Sequence, residues 1–108
     1  MRRGDLVSAV LAGDYGKPRP VLIIQDDAFS SLQSLTVLPL TSDLQASPFA
    51  RIRILPTSRN GLRRPSDIMI DKAQTVTKSK IGGSIGTLEE ATMLHANAAL
   101  AKFLGLDD

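Results

Sequence analysis

The chain has 108 residues, and we expect residues 1–108 to form one domain. It contains no cysteine and a single histidine, His95, which excludes disulfides, thiolate nucleophiles and Cys- or His-rich metal centres. We therefore expect no metal and no cofactor, and any catalysis must use hydroxyl, carboxylate and guanidinium groups. The longest apolar run, Val21–Ile24, is too short to cross a bilayer, so we expect a cytoplasmic protein without a membrane segment.

Charge is distributed unevenly along the chain. Residues 51–80 carry eight basic and two acidic residues, a net charge of +6, whereas the rest carries five against nine, a net charge of −4. Such a basic segment predicts an anionic partner, either nucleic acid or an acidic polypeptide, with a merely solvated surface as the alternative. Aromatic platforms for bases are scarce, because the only aromatic residues are Tyr15, Phe29, Phe49 and Phe103.

The first half of the chain predicts three strands. A strand over Leu6–Val10 ends at the turn-forming cluster Gly13–Gly16. The continuously apolar, β-branched run Val21–Ile24 predicts a second strand that is buried on both faces. Leu35–Leu38 predicts a third strand, which should end at Pro39.

The second half predicts further short strands. Phe49–Leu55 alternates basic and apolar residues, which predicts a strand with one wet face. After the turn signal Asn60-Gly61, the segments Asp67–Ile70 and Thr75-Val76 predict two more strands. Short strands separated by turn residues indicate a mainly β fold, a small closed or nearly closed antiparallel barrel.

A C-terminal helix should follow Gly82-Gly83. Thr87 and Glu90 have the spacing of a capping box, and Gly105 lies where a left-handed cap would end a helix running to Leu104. One apolar stripe contains Met93, Leu94, Leu100, Ala101 and Leu104, and the other side carries Leu88, Ala99 and Phe103. The barrel would cover one side and a second subunit the other, unless the helix ends in a frayed tail.

Two polar positions are candidates for chemistry. Arg19 lies between Pro18 and Pro20, which predicts a stiff presentation at the mouth of a strand. From the residues alone, a salt bridge from Arg19 to Asp14 or Asp71 is the favoured interpretation. Thr41 begins the run Thr-Ser-Asp, which by itself indicates only a side-chain-stabilised turn.

Motifs spread over nearly the whole chain resemble the MazF/PemK toxins. In chain order they are Arg3-Gly4-Asp5, the run Lys17–Ile24, the run Val37–Ser42, Asn60-Gly61-Leu62, Asp71 within Ile-Asp-Lys, Thr75-Val76 followed by Lys78-Ser79, and the run Ile85–Leu88. The resemblance implies an SH3-like antiparallel β-barrel with a C-terminal α-helix, shared with the CcdB gyrase poisons. It also implies a homodimer neutralised by an antitoxin, for which we expect an acidic tail.

The implied activity is metal-independent, sequence-specific cleavage of single-stranded mRNA to 2′,3′-cyclic phosphate and 5′-hydroxyl ends. The resemblance makes Arg19 and Thr41 the catalytic candidates, since a guanidinium can stabilise phosphorane charge and a hydroxyl can donate to a phosphate oxygen. The RNA-binding candidates are Lys17, Ser42, Asp71, Lys72 and Lys78. No residue supplies a convincing general base.

Departures from the family pattern and other classes of function remain open. The loop between Gly13 and Lys17 is shorter than in several members, and Met69 and Lys72 stand where some members have Arg and Gln, so the RNA preference should differ. Asp71 serves RNA recognition or merely fixes a loop, and His95 is expected to be a surface residue. The alternatives to a ribonuclease are a CcdB-like gyrase poison and a non-catalytic SH3-like binding module or degenerate toxin.

Overall fold

The structure is a computed structural model that describes residues 1–45 and 50–107. Over these residues the strands are β1 (Asp5–Val10), β2 (Pro18–Ile23), β3 (Ser34–Thr41), β4 (Arg51–Ile54), β5 (Ser66–Met69), β6 (Gln74–Thr77) and β7 (Ile81–Thr87), and the helix is α1 (Glu90–Phe103). Single turns of 3-10 helix cover Asp27–Phe29, Ile70–Lys72 and Lys78–Lys80. The expected mainly β fold with a C-terminal helix is confirmed.

The strands form one bent antiparallel sheet in the order β4-β5-β3-β2-β1-β7, and β6 pairs with the first half of β3. The sheet does not close completely into the expected barrel. Its two ends still approach each other, because the amide of Thr87 in β7 donates to the carbonyl of Arg59 in the β4–β5 loop at 2.9 Å. The loop between β4 and β5 therefore lies against β7.

Two apolar clusters lie on opposite faces of the central strands. One cluster contains Leu22 and is covered by β4, β5 and α1, and the other contains Val21 and Ile23 and is enclosed by β1, β2, β3 and β6. The two-sided burial expected for this run is confirmed within β2. Because both faces of β1 and β2 are packed, the loop that joins them extends from a rigid pair of strands.

Three strand boundaries differ from the expectation, and two of the differences place the catalytic candidates Arg19 and Thr41 within strands. β2 begins at Pro18, so Arg19 belongs to the strand and pairs with Ala9 of β1. β3 continues through Pro39 to Thr41. A proline fits there because β3 changes partner on one edge at that point, with β6 paired as far as Val37 and β5 paired from Leu40. β4 covers only Arg51–Ile54, with both isoleucines buried as expected, and Phe49 lies outside the described residues.

Strand β7 was not predicted, since only a helix was expected after Gly82-Gly83. Gly86 belongs to this strand because the strand passes close to another backbone segment at that position. A Cβ on Gly86 would collide with the backbone of Arg59 and Asn60, and one on Gly61 would collide with the carbonyl of Ile85. Glycine at these positions allows the β4–β5 loop and β7 to touch.

The start and the inward face of α1 also differ from the expectation. Thr87 ends β7, and the N-cap residue is Glu89, so the predicted capping box is wrong. Gly105 has the expected left-handed backbone, with a φ of 72°. The helix packs on the core through Ala96 and Leu100, with Met93 and Ala99 beside them, whereas Leu94, Phe103 and Leu104 are exposed. The small Ala96 faces the sheet, whereas Leu94 and Leu104 do not. The predicted apolar stripe of α1, which was chosen by its large side chains, is therefore partly wrong.

No helix among residues 1–45 and 50–107 is long and apolar enough to span a membrane.

Candidate active site

A groove of about 1060 Å³ opens at one end of the sheet. Its walls are the β1–β2 loop with the start of β2, the end of β3, the β4–β5 loop with the start of β5, and part of β7. The polar residues that line it are Ser8, Asp14, Tyr15, Lys17, Arg19, Thr41, Ser42, Arg63, Arg64, Ser66 and Ser84. Four of the seven predicted site residues therefore line one groove: Lys17, Arg19, Thr41 and Ser42.

Arg19 and Asp14 form a two-point ion pair in the groove wall. Nη2 of Arg19 donates to Oδ1 of Asp14 at 2.8 Å, and Nε lies 2.7 Å from Oδ2. The Arg19 side chain is 34% exposed and that of Asp14 is 17% exposed. The salt bridge favoured from the residues alone thus exists, and it holds the guanidinium in a fixed orientation where it still reaches solvent. Asp14 is the only carboxylate among the described residues of the groove.

Thr41 and Ser42 lie where β3 leaves the sheet. The Oγ1 of Thr41 accepts a hydrogen bond from the amide of Asp43 at 3.1 Å, so the anticipated side-chain turn is present. The backbone of Thr41 pairs with Asp67 of β5, which fixes its position in the groove wall. The hydroxyl hydrogen of Thr41 remains available, because the turn uses the oxygen only as an acceptor.

The wall behind Thr41 is held by a buried carboxylate, Asp67. Nε of Arg53 donates to Oδ1 of Asp67 at 2.8 Å, and the amide of Gln45 donates to Oδ2 at 3.1 Å. Arg51 lies 3.9 Å from Oδ2 and donates to the carbonyl of Asp43. The hydrogen bond from Arg53 is the main reason that the pKa of Asp67 is lowered, although burial acts in the opposite direction. The two arginines of β4 thus neutralise Asp67 and tie down residues 43–45.

The opposite wall is built around Asn60, which is completely buried. Its Oδ1 accepts from the amides of Thr57 and Leu62, and its Nδ2 donates to Leu55 and to Glu89. The Thr57 hydroxyl donates to the Glu89 carboxylate at 2.6 Å and is the main reason that the pKa of Glu89 is lowered. This network shapes the loop that carries Arg63 and Arg64.

Arg63 and Arg64 are groove residues that sequence reasoning did not single out as site residues. Both are exposed, and no described carboxylate lies within ion-pair distance of either. The available signal was the Arg-Arg-Pro run directly after Asn60-Gly61 inside the basic segment. Together with Lys17 and Arg19 they give the groove four cations against one carboxylate.

Asp71, Lys72 and Lys78 do not line the groove. Asp71 and Lys72 lie in the 3-10 turn after β5, with the ammonium of Lys72 3.8 Å from the Asp71 carboxylate. Lys78 follows β6 and donates from its ammonium to the carbonyl of Ser30 at 2.6 Å. Their RNA-binding role stays a prediction, and any RNA that contacts them must extend beyond the groove.

The described residues contain no cluster of three or more His, Asp or Glu side chains suited to a metal ion. His95 is exposed on α1, as expected, and is not among the residues of the groove.

Comparison with known proteins assigns the family. A model of the PemK-like, MazF-like toxins of type II toxin–antitoxin systems matches residues 2–104. The chain belongs to this family. It is 49% identical over 107 residues to a probable endoribonuclease MazF of Mycolicibacterium smegmatis, covering 98% of each chain.

Solved structures agree with this assignment. A mycobacterial endoribonuclease in complex with its cognate antitoxin has a TM-score of 0.84 at 25% identity, with 100% of this chain and 98% of that chain covered. The Mycobacterium tuberculosis toxin MazF-mt6 has a TM-score of 0.81 at 27% identity, covering 96% and 99%. The family match favours a MazF-like toxin over a CcdB-like gyrase poison.

Proposed function

We propose that this chain is an endoribonuclease toxin that cuts single-stranded RNA in the groove. The observation that carries the proposal is that Lys17, Arg19, Thr41 and Ser42, which come from two parts of the chain, line one cationic groove. Cations that line one groove attract the phosphate backbone of RNA, and an oriented guanidinium can donate hydrogen bonds to two phosphate oxygens at once. The name of the Mycolicibacterium smegmatis relative, a probable endoribonuclease, supports the same activity.

The proposed reaction is attack by the RNA's own 2′-oxygen on the neighbouring phosphorus. The bond from the 2′-oxygen to phosphorus forms, the bond to the 5′-oxygen breaks, and the products are a 2′,3′-cyclic phosphate and a 5′-hydroxyl. Arg19 stabilises the negative charge of the phosphorane and gives a proton to the 5′-alkoxide, which is more basic than a neutral guanidine, and water then reprotonates the guanidine. Thr41 donates its hydroxyl hydrogen to a phosphate oxygen and positions the group.

Asp14 is the groove residue best suited to accept the 2′-hydroxyl proton. It pairs with Arg19 through both carboxylate oxygens and so lies beside the guanidinium proposed to bind the phosphate. A carboxylate at hydrogen-bond distance from the hydroxyl can act as a general base. Asp14 thus orients the Arg19 guanidinium before RNA binds. Once the phosphate also contacts the guanidinium, Asp14 acts as the general base.

The partners proposed for this chain are an antitoxin with an acidic tail and a second copy of the chain. The solved mycobacterial relative is in complex with its cognate antitoxin, which supports the first. Leu94 on α1 and Leu104 at its C-terminal cap stay largely exposed, which supports a homodimer that covers this side of the helix. We also propose a cytoplasmic location, where an mRNA substrate is present. The mass of the purified protein by light scattering, for wild type and Leu94→Lys, tests the dimer.

Cleavage of a labelled single-stranded RNA tests the function. We expect wild type to cut in the presence of EDTA, and to fail when the nucleotide at the cut site is 2′-deoxy, because the nucleophile is then missing. Arg19→Lys should lower kcat about 10²- to 10³-fold, the usual loss for one charge-stabilising donor, because an ammonium cannot grip two oxygens. Asp14→Asn should lower kcat while RNA still binds.

The matched controls are Arg2→Lys and Asp107→Asn, which make the same changes at exposed positions outside the groove. Both should cut like wild type. Cutting of the 2′-deoxy substrate would overturn the mechanism. Growth arrest without any RNA cleavage would point to a gyrase poison, and neither effect would indicate a binding module.

A further inference from the structure

Tyr15 stands out in the groove by its backbone and its exposure. Its φ is 54°, the only positive value at a residue other than glycine among the described residues. Its side chain is 98% exposed and lies at the edge of the groove. A bulky residue with a left-handed backbone is unusual, because the conformation costs free energy unless the surroundings enforce it.

The turn that contains Tyr15 is one that tyrosine disfavours. The amide of Lys17 donates to the carbonyl of Asp14 at 3.0 Å, and the two central residues, Tyr15 and Gly16, have φ values of 54° and 79°. Positive φ at both central positions is the mark of a type I′ turn, in which Asn, Asp or Gly is favoured at the first position. Folding therefore does not explain why a tyrosine is there.

Packing does not explain the residue either. A ring that is almost fully exposed removes almost no apolar surface from water. Burial therefore contributes no free energy that could offset the cost of the left-handed backbone. The neighbouring residue Asp14 holds the guanidinium of Arg19, and that ion pair fixes the turn relative to the phosphate-binding group. The turn thus presents an aromatic ring at the edge of the groove that also contains Arg19, the proposed phosphate-binding residue.

We propose that Tyr15 is a stacking platform for a base of the RNA in the groove. This inference rests on the proposed function and adds to it a residue for positioning the substrate. An aromatic ring can stack on any base, so Tyr15 sets the register of the strand relative to Arg19 more than the identity of the base. The groove cations hold the backbone, and the ring holds one flanking nucleotide.

Two substitutions separate stacking from folding. Tyr15→Asn introduces the side chain that the turn favours and removes the ring, so the melting temperature should equal or exceed that of wild type while RNA binding weakens. Stacking on one base predicts a loss of affinity of about 5- to 150-fold. Tyr15→Phe keeps the ring and should bind and cut RNA nearly as well as wild type. The loss in Tyr15→Asn should appear mainly as a raised KM.

Tyrosine fluorescence provides a direct second measurement, because Tyr15 is the only tyrosine and the chain has no tryptophan. Wild type is titrated with a short 2′-O-methyl RNA of mixed sequence, which cannot react through a 2′-hydroxyl, and binding is followed by the anisotropy of a label on the RNA. Stacking should quench the tyrosine emission in step with binding. Binding without quenching, together with unchanged affinity in Tyr15→Asn, would overturn the stacking role and leave the proposed function standing. A wild type that neither binds nor cuts RNA would instead overturn the proposed function.

Discussion

Asp67 shows how one buried carboxylate supports the active groove without lining it. Its pKa is lowered first by the hydrogen bond from Arg53 and further by the amide of Gln45. A lowered pKa in the folded chain means that ionised Asp67 stabilises the fold above the unfolded pKa, about 3.9 for aspartate. This contribution is lost as the pH falls through the lower folded value. Glu89, whose pKa is also lowered, should behave in the same way.

We therefore expect Asp67→Asn to lower the free energy of unfolding by about 1–3 kcal/mol at neutral pH. The difference from wild type should shrink as the pH falls below about 4, since wild type then loses the same ionised group. Urea unfolding at several pH values measures it. Asp43→Asn, which removes an exposed carboxylate from the loop after β3, is the control and should stay within about 0.5 kcal/mol of wild type at neutral pH. A constant difference across the acidic range would contradict this role for Asp67.

The groove residues could be predicted from sequence only where family motifs carried them. The runs that contain Lys17, Arg19, Thr41 and Ser42 follow the family pattern, and the chain brings these residues together. Asp14 was identified as an ion-pair partner, but its place in the groove needed the structure, because it depends on the bend of the β1–β2 loop. Tyr15 was named only as one of four scarce aromatic residues, because its positive φ and its place at the groove cannot be read from the sequence.

At the scale of elements, the contact between β7 and the β4–β5 loop positions the cations Arg63 and Arg64. Gly86 lies against the backbone of Arg59 and Asn60, whereas Gly83 of the same strand faces open space. Gly86→Ala should therefore destabilise the protein by about 3 kcal/mol or more, because the added Cβ would clash with backbone atoms, which cannot move away as a flexible side chain can. Gly83→Ala should change stability by less than about 1 kcal/mol. Thermal and urea unfolding of the two variants checks this, and similar stabilities would show that the contact is not tight.

The strands that were predicted well from the sequence are those that consist mainly of buried apolar residues. Val21–Ile23 is packed on both faces and has few alternatives to a strand. β7 was missed because its Gly86 makes room for a contact with a distant segment, and that contact cannot be read along the chain. Pro39 was predicted to end β3 because proline disfavours the interior of a strand. The sequence does not show that β3 changes its partner strand on one edge at this position, where a proline is tolerated.

At the scale of the whole molecule, the basic segment 51–80 does not act as one surface. Arg51 and Arg53 are engaged with Asp67, and Lys78 is held by the carbonyl of Ser30. Of its eight cations, only Arg63 and Arg64 line the groove. The charge excess read from the sequence therefore overstates the binding surface, and the groove cations should dominate the affinity for RNA.

This distinction predicts the outcome of two charge reversals within the same segment. The double variant Arg63→Glu, Arg64→Glu should bind both RNA and the acidic antitoxin tail poorly, because both partners would occupy the groove. The matched double variant Arg59→Glu, Lys80→Glu changes the net charge equally at exposed positions outside the groove, and it should bind the two partners nearly as well as wild type. Equal losses in the two variants would show that overall charge, rather than the groove, attracts the partners.

Salt dependence should then distinguish the two partners that we expect to share the groove. Each phosphate contact releases counterions, so the logarithm of RNA affinity should fall with the logarithm of salt concentration with a slope of about −0.7 per contact. The Arg63→Glu, Arg64→Glu variant should show a shallower slope, since it lacks two contacts. The antitoxin complex should weaken less, because a peptide also buries apolar area, which screening does not affect. Anisotropy titrations at several salt concentrations, with antitoxin added to displace labelled RNA, measure both effects. Antitoxin that binds the RNA complex without displacing the RNA would contradict a shared groove.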